Sequence, residues 1–303
     1  MERLTRRALA RAVLAAGLGL AACGGGPAPG TSGRGPAAAS RIASQTLLSD
    51  EILWDLGPDT RAKVVAVSAL ADDPRYSDRP HTWPDTVPRV PTGSEALLAL
   101  APDLVVVATF TAPEIRERLA HVGVAQLVLP PLTSTDAYRS AVHRIAEAVG
   151  AAAAGDDLVA AFDRALAEHT RRPPPGRRRT LVAYADGVVA GADTTFDEIA
   201  RHAGFDNAAA RAGVTGHARV DPERLLAWDP FVVVIPCGGD CGRAKAAFAA
   251  TPGLSALSAV REGRVVPIED TTLHATGWGL ARLAARLCDE FDRFAAADGE
   301  GAP

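Results

Sequence analysis

The stretch GSEALLALAPDLVVV, residues 93–107, returns as DPERLLAWDPFVVVI at residues 221–235, aligned without a gap at an offset of 128 and agreeing at Glu, Leu-Leu-Ala, Pro and Val-Val. In each copy a short helix opens at Gly93-Ser94 or Asp221-Pro222, carries Glu95 or Glu223 in its first turn and breaks at Pro102 or Pro230. The run of Val and Ile that follows is the right length for a buried parallel strand. A helix-to-strand unit repeated at this spacing predicts two similar α/β halves, each with an acidic residue at the same corner.

Outward from these copies, strands and helices alternate as a parallel sheet with crossover helices requires. Strands are expected at Ile42–Thr46, Lys63–Ser68, Leu104–Ala108 and Gln126–Leu129, with helices at Ser49–Leu56 and Pro113–His121. The segment Leu70–Val90 is broken by prolines and charges and reads as a long loop. From Ser134 to Arg172 the pattern is helical, with a restart expected at Gly155-Asp156 and with Leu158, Phe162, Ala165, Leu166 and His169 on one face. Further strands are expected at Thr180–Ala185, Phe231–Ile235 and Arg264–Ile268, and an amphipathic helix at Gly279–Phe294. Asp186-Gly187 predicts a hairpin turn into Val188–Ala190. The expected fold is α/β, two Rossmann-like lobes with parallel sheets, residues 41–150 and 175–303, joined by a single long helix at 151–174.

Residues 1–22 carry Arg3, Arg6, Arg7 and Arg11 ahead of an apolar run, Ala12–Ala22, that is too short for a permanent span and suits a secretory signal peptide. Leu20-Ala21-Ala22-Cys23 looks like a bacterial lipobox, which implies cleavage before Cys23 and acylation of its thiol, so that acyl chains hold the protein to a lipid bilayer. Residues 23–40, rich in Gly, Pro, Ala and Ser, read as a flexible tether. Losing residues 1–22 removes four Arg and Glu2 and takes the formal charge from −4 to −7. Nucleic acid is not an expected partner of such an acidic chain, because no basic stripe or zinc-finger spacing is present and the Arg cluster at 171–179 lies in a Pro-rich connector.

Catalysis is not expected either. The chain has no G-x-S-x-G elbow, P-loop, dinucleotide-binding glycine motif after a strand, or H-E-x-x-H pair. The seven His are scattered without metal-ligand spacing, so no resident metal or cofactor is expected; a bare zinc or manganese carrier would need His81, His274 and Asp270 to converge. Cys237 and Cys241 frame the turn PCGGDCG and, in an exported protein, are disulfide candidates, with Cys288 as the other possible partner.

The run RIASQTLLSDEILWDLG, residues 41–57, the pair EALLALAPDLVVV and PERLLAWDPFVVVI, and the helical stretch between them resemble the substrate-binding lipoproteins of ABC importers for cobalamin and ferric siderophores, the class III periplasmic binding proteins, over nearly all of the chain beyond the tether. The resemblance implies a monomer outside the cytoplasm that holds a small-molecule ligand between two lobes, and a permease dimer with its ATPase subunits as partner. It further implies that Glu95 and Glu223 dock onto permease arginines. Gln45-Thr46-Leu47-Leu48-Ser49-Asp50-Glu51 departs from the Ser-Pro-rich turn common in the family, so the ligand contacts of that loop are not carried over.

Because open parallel sheets bind ligands at the carboxyl ends of their strands, the facing loops nominate Gln45, Tyr76, His81, Trp83 and Phe110 from the first lobe. From the second they nominate Tyr184, Asp186, Thr194, Phe196, His274 and Trp278. Aromatics are only 5% of the chain, so Trp83 and Trp278 in such loops point to a flat or macrocyclic cargo, cobalamin, a ferric siderophore or haem. Arg75, Arg79 and Arg89 are candidate partners for carboxylates of a ferric chelate.

Overall fold

The structure is a computed structural model, and the residues described are 38–91, 95–174, 176, 178–297 and 299. The signal peptide, Cys23, most of the tether and the pair Gly93-Ser94 lie outside them. The chain runs β1 (Ile42–Ser44), α1 (Leu47–Asp55), α2 (Pro58–Arg61), β2 (Val64–Ser68), β3 (Arg89–Val90), α3 (Glu95–Ala99), β4 (Leu104–Ala108), α4 (Pro113–His121), β5 (Ala125–Leu129), α5 (Thr135–Val149) and α6 (Ala152–Glu168). It continues β6 (Thr180–Ala185), β7 (Val188–Ala190), α7 (Thr195–His202), β8 (Asp206–Asn207), α8 (Ala208–Arg211), β9 (His217–Arg219), α9 (Pro222–Trp228), β10 (Val232–Pro236), α10 (Cys241–Ala250), α11 (Ser258–Arg261), β11 (Val265–Ile268), α12 (Asp270–Leu273) and α13 (Gly279–Ala297). No described helix is long and apolar enough to cross a membrane.

The two repeat copies become the same structural unit. β4 and β10 start and stop at equivalent positions; β4 pairs in parallel with β1 and β5, and β10 with β6 and β11. The first sheet, ordered β3-β2-β1-β4-β5, is parallel throughout, and all five residues of β4 are buried, as expected of a strand covered by helices on both faces. The second sheet, ordered β11-β10-β6-β7-β9, is mixed rather than parallel: β7 runs antiparallel to β6 and β9 antiparallel to β7. The reason is the turn Asp186-Gly187, both residues at positive φ (48° and 80°), which reverses the chain at once and leaves no room for a crossover helix.

Local chemistry sets many of the helix starts. Thr46, Ser134, Thr194, Asp221 and Asp240 each accept a backbone N–H of the first turn of α1, α5, α7, α9 and α10, and Pro58, Pro113 and Pro222 occupy early positions where no N–H is needed. The helical stretch 134–172 is two helices, α5 and α6, with the break ahead of the expected one. Gly150, left-handed at φ 73°, ends α5, whereas the expected restart at Gly155 lies inside α6, where a Cβ would come within 2.6 Å of Ala146. Gly155 therefore lets α6 approach α5 closely.

Within the loop Leu70–Val90, Arg89 makes the largest set of hydrogen bonds. Arg89 donates to the Asp72 carboxylate and to the carbonyls of Trp83, Pro84 and Val87, so one guanidinium satisfies several polar groups of a segment with almost no regular structure.

Between the halves, Phe162 of α6 is fully buried, its ring 4.6 Å from Tyr138 of α5 and 6.2 Å from Trp278 just ahead of α13. One side chain thus packs against elements of both halves. Phe162→Ala is expected to destabilise the protein by about 3–5 kcal/mol, read from the denaturant midpoint; a loss below about 1 kcal/mol would mean that the halves hold together without it.

Candidate functional site

In the first sheet every strand is parallel, so the loops after β1, β2, β4 and β5 leave from one edge; the loops after β6, β10 and β11 do the same in the second. The two edges meet. Thr276 Oγ1 donates to Glu51 Oε2 of α1 (2.8 Å), Arg282 of α13 pairs with Asp78, and the backbone N–H and hydroxyl of Thr135 donate to Glu198 of α7 (2.7 Å each). At this junction lies a cavity of roughly 430 Å³, a volume ordinary for a small-molecule site. Leu132 lines it from the loop after β5, while Ala183, Val189, Phe196, Leu273 and Ala275 give the second half's side an apolar wall. His217, at the start of β9, and His274, after α12, both line the same cavity. Both are exposed and neither ring is engaged by a hydrogen bond or ion pair from the described residues.

Of the residues nominated from sequence, Phe196 and His274 line this cavity. Phe110, 79% exposed after β4, and Tyr76, 41% exposed in the long loop, present rings outward from the first half. Trp278 is half-buried against Phe162. Tyr184 is half-buried beside Phe248, its hydroxyl 3.5 Å from the Val220 carbonyl. The others have structural work. Trp83 is 5% exposed and set edge-on to Trp54 at 5.1 Å, so its ring is core rather than a stacking surface. Gln45 is buried, its amide donating to the carbonyls of Ser44 and Val90. Thr194 is the buried cap of α7, its hydroxyl also donating to Gly191 O (2.7 Å). Asp186 takes the first position of the hairpin turn at φ 48°, its side chain exposed.

The long-loop arginines are likewise occupied. Arg75 pairs with Asp73, Arg79 with Asp55 and Arg89 with Asp72, each at 2.6 Å. His81 faces Asp72 at 3.5 Å, and His81, Asp270 and His274 do not come together as a metal site. His217 escaped the sequence reading because it stands on a three-residue strand after Gly216, too short to show a period.

Glu95 and Glu223 are both exposed in the first turns of α3 and α9, at equivalent places ahead of β4 and β10. Cys237 and Cys241 are joined by a disulfide, and Cys288 is buried with its thiol donating to His169 O, burial pushing that thiol up to about 11.

Three acids at or beside the junction, Asp50 buried and Glu51 and Glu198 partly so, are perturbed. Asp50, whose carboxylate accepts from the Ser68 backbone (3.1 Å) and hydroxyl, is pushed by burial up to about 7 against the opposing pull of Ser44, Ser68 and Arg89. Burial likewise pushes Glu51 up to about 7, with Thr276 and Arg79 working the other way. Burial also opposes ionisation of Glu198, but the bonds from His202 and Thr135 outweigh it and carry this group down to about 2. A void of roughly 20 Å³ beside Asp50, Glu51 and Arg79 has room for one water and none for a cargo.

The chain belongs to the periplasmic binding protein family, whose pattern matches residues 42–272. Such proteins bind a small solute outside the cytoplasmic membrane and work with the permease and ATPase components of ABC importers; they are not enzymes. No curated protein matches the chain. Among solved structures, it is similar to a possible iron-binding periplasmic solute-binding protein of Staphylococcus epidermidis (18% identity, 84% of this chain and 98% of that one, TM-score 0.71). It is also similar to the periplasmic heme-binding protein RhuT of Roseiflexus (25%, 83% and 98%, 0.67) and to the molybdate-binding MolA of Haemophilus influenzae (21%, 87% and 89%, 0.70).

Asp50 and Glu51 set a pH dependence whose sign is fixed. A carboxyl held near 7 when folded and near 4 when unfolded binds its proton more tightly in the folded state, so its contribution is complete below about pH 4 and is lost as pH rises through 7. Above pH 5 Glu198 is ionised in both states and drops out. Stability is expected to fall between pH 5 and 7 by up to about 1.4 kcal/mol per pH unit for each of the two groups. Denaturant titrations across this range should show the slope in the native chain and a flatter one in Asp50→Asn/Glu51→Gln; a native profile that rises with pH would contradict the assignment.

Proposed function

We propose that this protein captures a flat, largely apolar metal tetrapyrrole, with haem the best match, and hands it to an ABC permease. The observation that carries the reading is the cavity at the meeting of the two sheet edges, apolar in its walls and supplied with the unengaged imidazoles of His217 and His274. An apolar wall suits a macrocycle face, and neutral imidazole is a good ligand for iron. The similarity to RhuT, a heme-binding protein, supports it. A carboxylate-rich ferric chelate is disfavoured because Arg75, Arg79 and Arg89 already have carboxylate partners inside the protein. Cobalamin shares the flat metallated ring and is the second reading, favoured by the outward rings of Phe110 and Tyr76, which enlarge the apolar surface on the first half's side.

Titration of the purified protein with haemin, cobalamin and ferric siderophores distinguishes these cargoes. Haemin is expected to give a saturable, shifted Soret band at one equivalent, weakened roughly tenfold or more in His274→Ala or His217→Ala. Saturable binding of a ferric siderophore with no response to haemin would overturn the proposal.

Delivery, in the same reading, uses Glu95 and Glu223. A carboxylate at the start of a helix is favoured by the helix dipole in any protein, but two at equivalent corners of a duplicated body give a pseudo-symmetric partner a two-point electrostatic register. Cleavage before Cys23 and acylation of its thiol would hold the protein at the membrane beside that partner. In cells that depend on the cargo, Glu95→Lys/Glu223→Lys is expected to abolish uptake while purified protein binds cargo normally, and Cys23→Ser to release protein from the membrane fraction. Unimpaired uptake by the double Lys variant would remove the docking role.

A further inference from the structure

Among the described residues, one cluster of metal-ligating side chains lies outside the cavity lining. At the carboxyl end of β10 the turn Cys237-Gly238-Gly239-Asp240 leads into α10, and Cys237, Cys241 and Glu269 bring one ligand atom each to within 4.8 Å of one another. Gly238 and Gly239 both have positive φ (52° and 83°), and the Gly238 N–H donates to Asp270 Oδ1 (2.9 Å), pinning the turn to the segment that carries Glu269. Cys241 Sγ lies 3.5 Å from Glu269 Oε1. While the disulfide is closed that sulfur has no proton to donate, so a carboxylate rests against it with nothing to share. Opening the disulfide changes what the three groups can do.

We propose that, once a small-molecule thiol reduces Cys237–Cys241, the two sulfurs and the Glu269 carboxylate form a three-ligand site for a soft divalent cation of the zinc class. In the reduction two thiol molecules lose two electrons and join as their own disulfide, while Cys237 and Cys241 take up the two electrons and two protons. The cation then displaces those two protons as the thiolates ligate it. Two thiolates and one carboxylate place three negative charges around a dication and leave a fourth tetrahedral position for water. Sulfur ligands select such an ion over calcium or magnesium. Cys241 is the first residue of the ten-residue α10, where the helix N-terminus favours thiolate over thiol. Cys237 is buried, Cys241 partly buried and Glu269 exposed, so the ion has an approach from the Glu269 side.

The site is independent of the cargo assignment, and its test makes no use of cargo. Full-length protein carrying Cys23→Ser is prepared in the disulfide form and after thiol reduction, with reductant removed anaerobically. Thiol titration should count two more thiols in the second sample, Cys288 being common to both. Zinc titrated in competition with a chromophoric chelator is expected to bind the reduced form at one equivalent, at least roughly tenfold more tightly than the disulfide form. Affinity should fall roughly tenfold or more in Glu269→Gln, and the site should be lost in Cys241→Ser. Cadmium in place of zinc should add a thiolate-to-metal charge-transfer band. Zinc affinity equal in the two forms, or unchanged by Cys241→Ser, would overturn the proposal, as would a disulfide that resists thiol while the protein is folded.

Discussion

The contact of Phe162 with Tyr138 and Trp278, framed by the polar pairs Glu51–Thr276, Asp78–Arg282 and Thr135–Glu198, is the constraint on which the site depends. Each sheet alone offers only an open edge of loops. The cavity lies where Leu132 from one edge and Phe196, Leu273 and His274 from the other line the same space. Two of the polar contacts use groups whose ionisation is shifted in opposite senses, Glu51 up by burial and Glu198 down by its bonds from His202 and Thr135 despite burial. The junction therefore joins one carboxyl that favours its proton to another that favours its charge, both satisfied by threonine hydroxyls.

Much of the fold was legible because its determinants are local or periodic. The repeat at an offset of 128 is visible in the residues that make α3 and β4, and again α9 and β10, since a strand covered on both faces must be continuously apolar and a helix must stop at proline. Asp186-Gly187 announced its hairpin for an equally local reason, the ease with which this pair takes positive φ. The break in the central helices was misplaced because Gly150 and Gly155 look alike in sequence: one is left-handed and ends α5, the other is a packing glycine inside α6. Only the tertiary contact with Ala146 separates them.

The site was legible in part. His274 and Phe196 followed from the rule that ligands sit at the carboxyl ends of parallel strands. Trp83 obeyed the same rule and still turned inward, because Arg89 gathers the carbonyls of Trp83, Pro84 and Val87 and draws the loop onto α1. Charge in that loop likewise suggested a ligand and is used up internally, by Asp55, Asp72 and Asp73. Whether an arginine meets solvent, a chelate or a neighbouring carboxylate is decided by contacts far apart in sequence, and no spacing rule reports them. The short strands β3, β8 and β9 are invisible for a related reason, since two or three residues carry no periodicity, and His217 was missed with β9.

A crystal structure of the protein with bound haemin tests the central claim most directly. The account predicts the macrocycle between the two sheet edges, one face against Phe196, Leu273 and Ala275 and its iron within bonding distance of His274 or His217. A ring bound on an outer helix face, with those imidazoles still facing solvent, would contradict it.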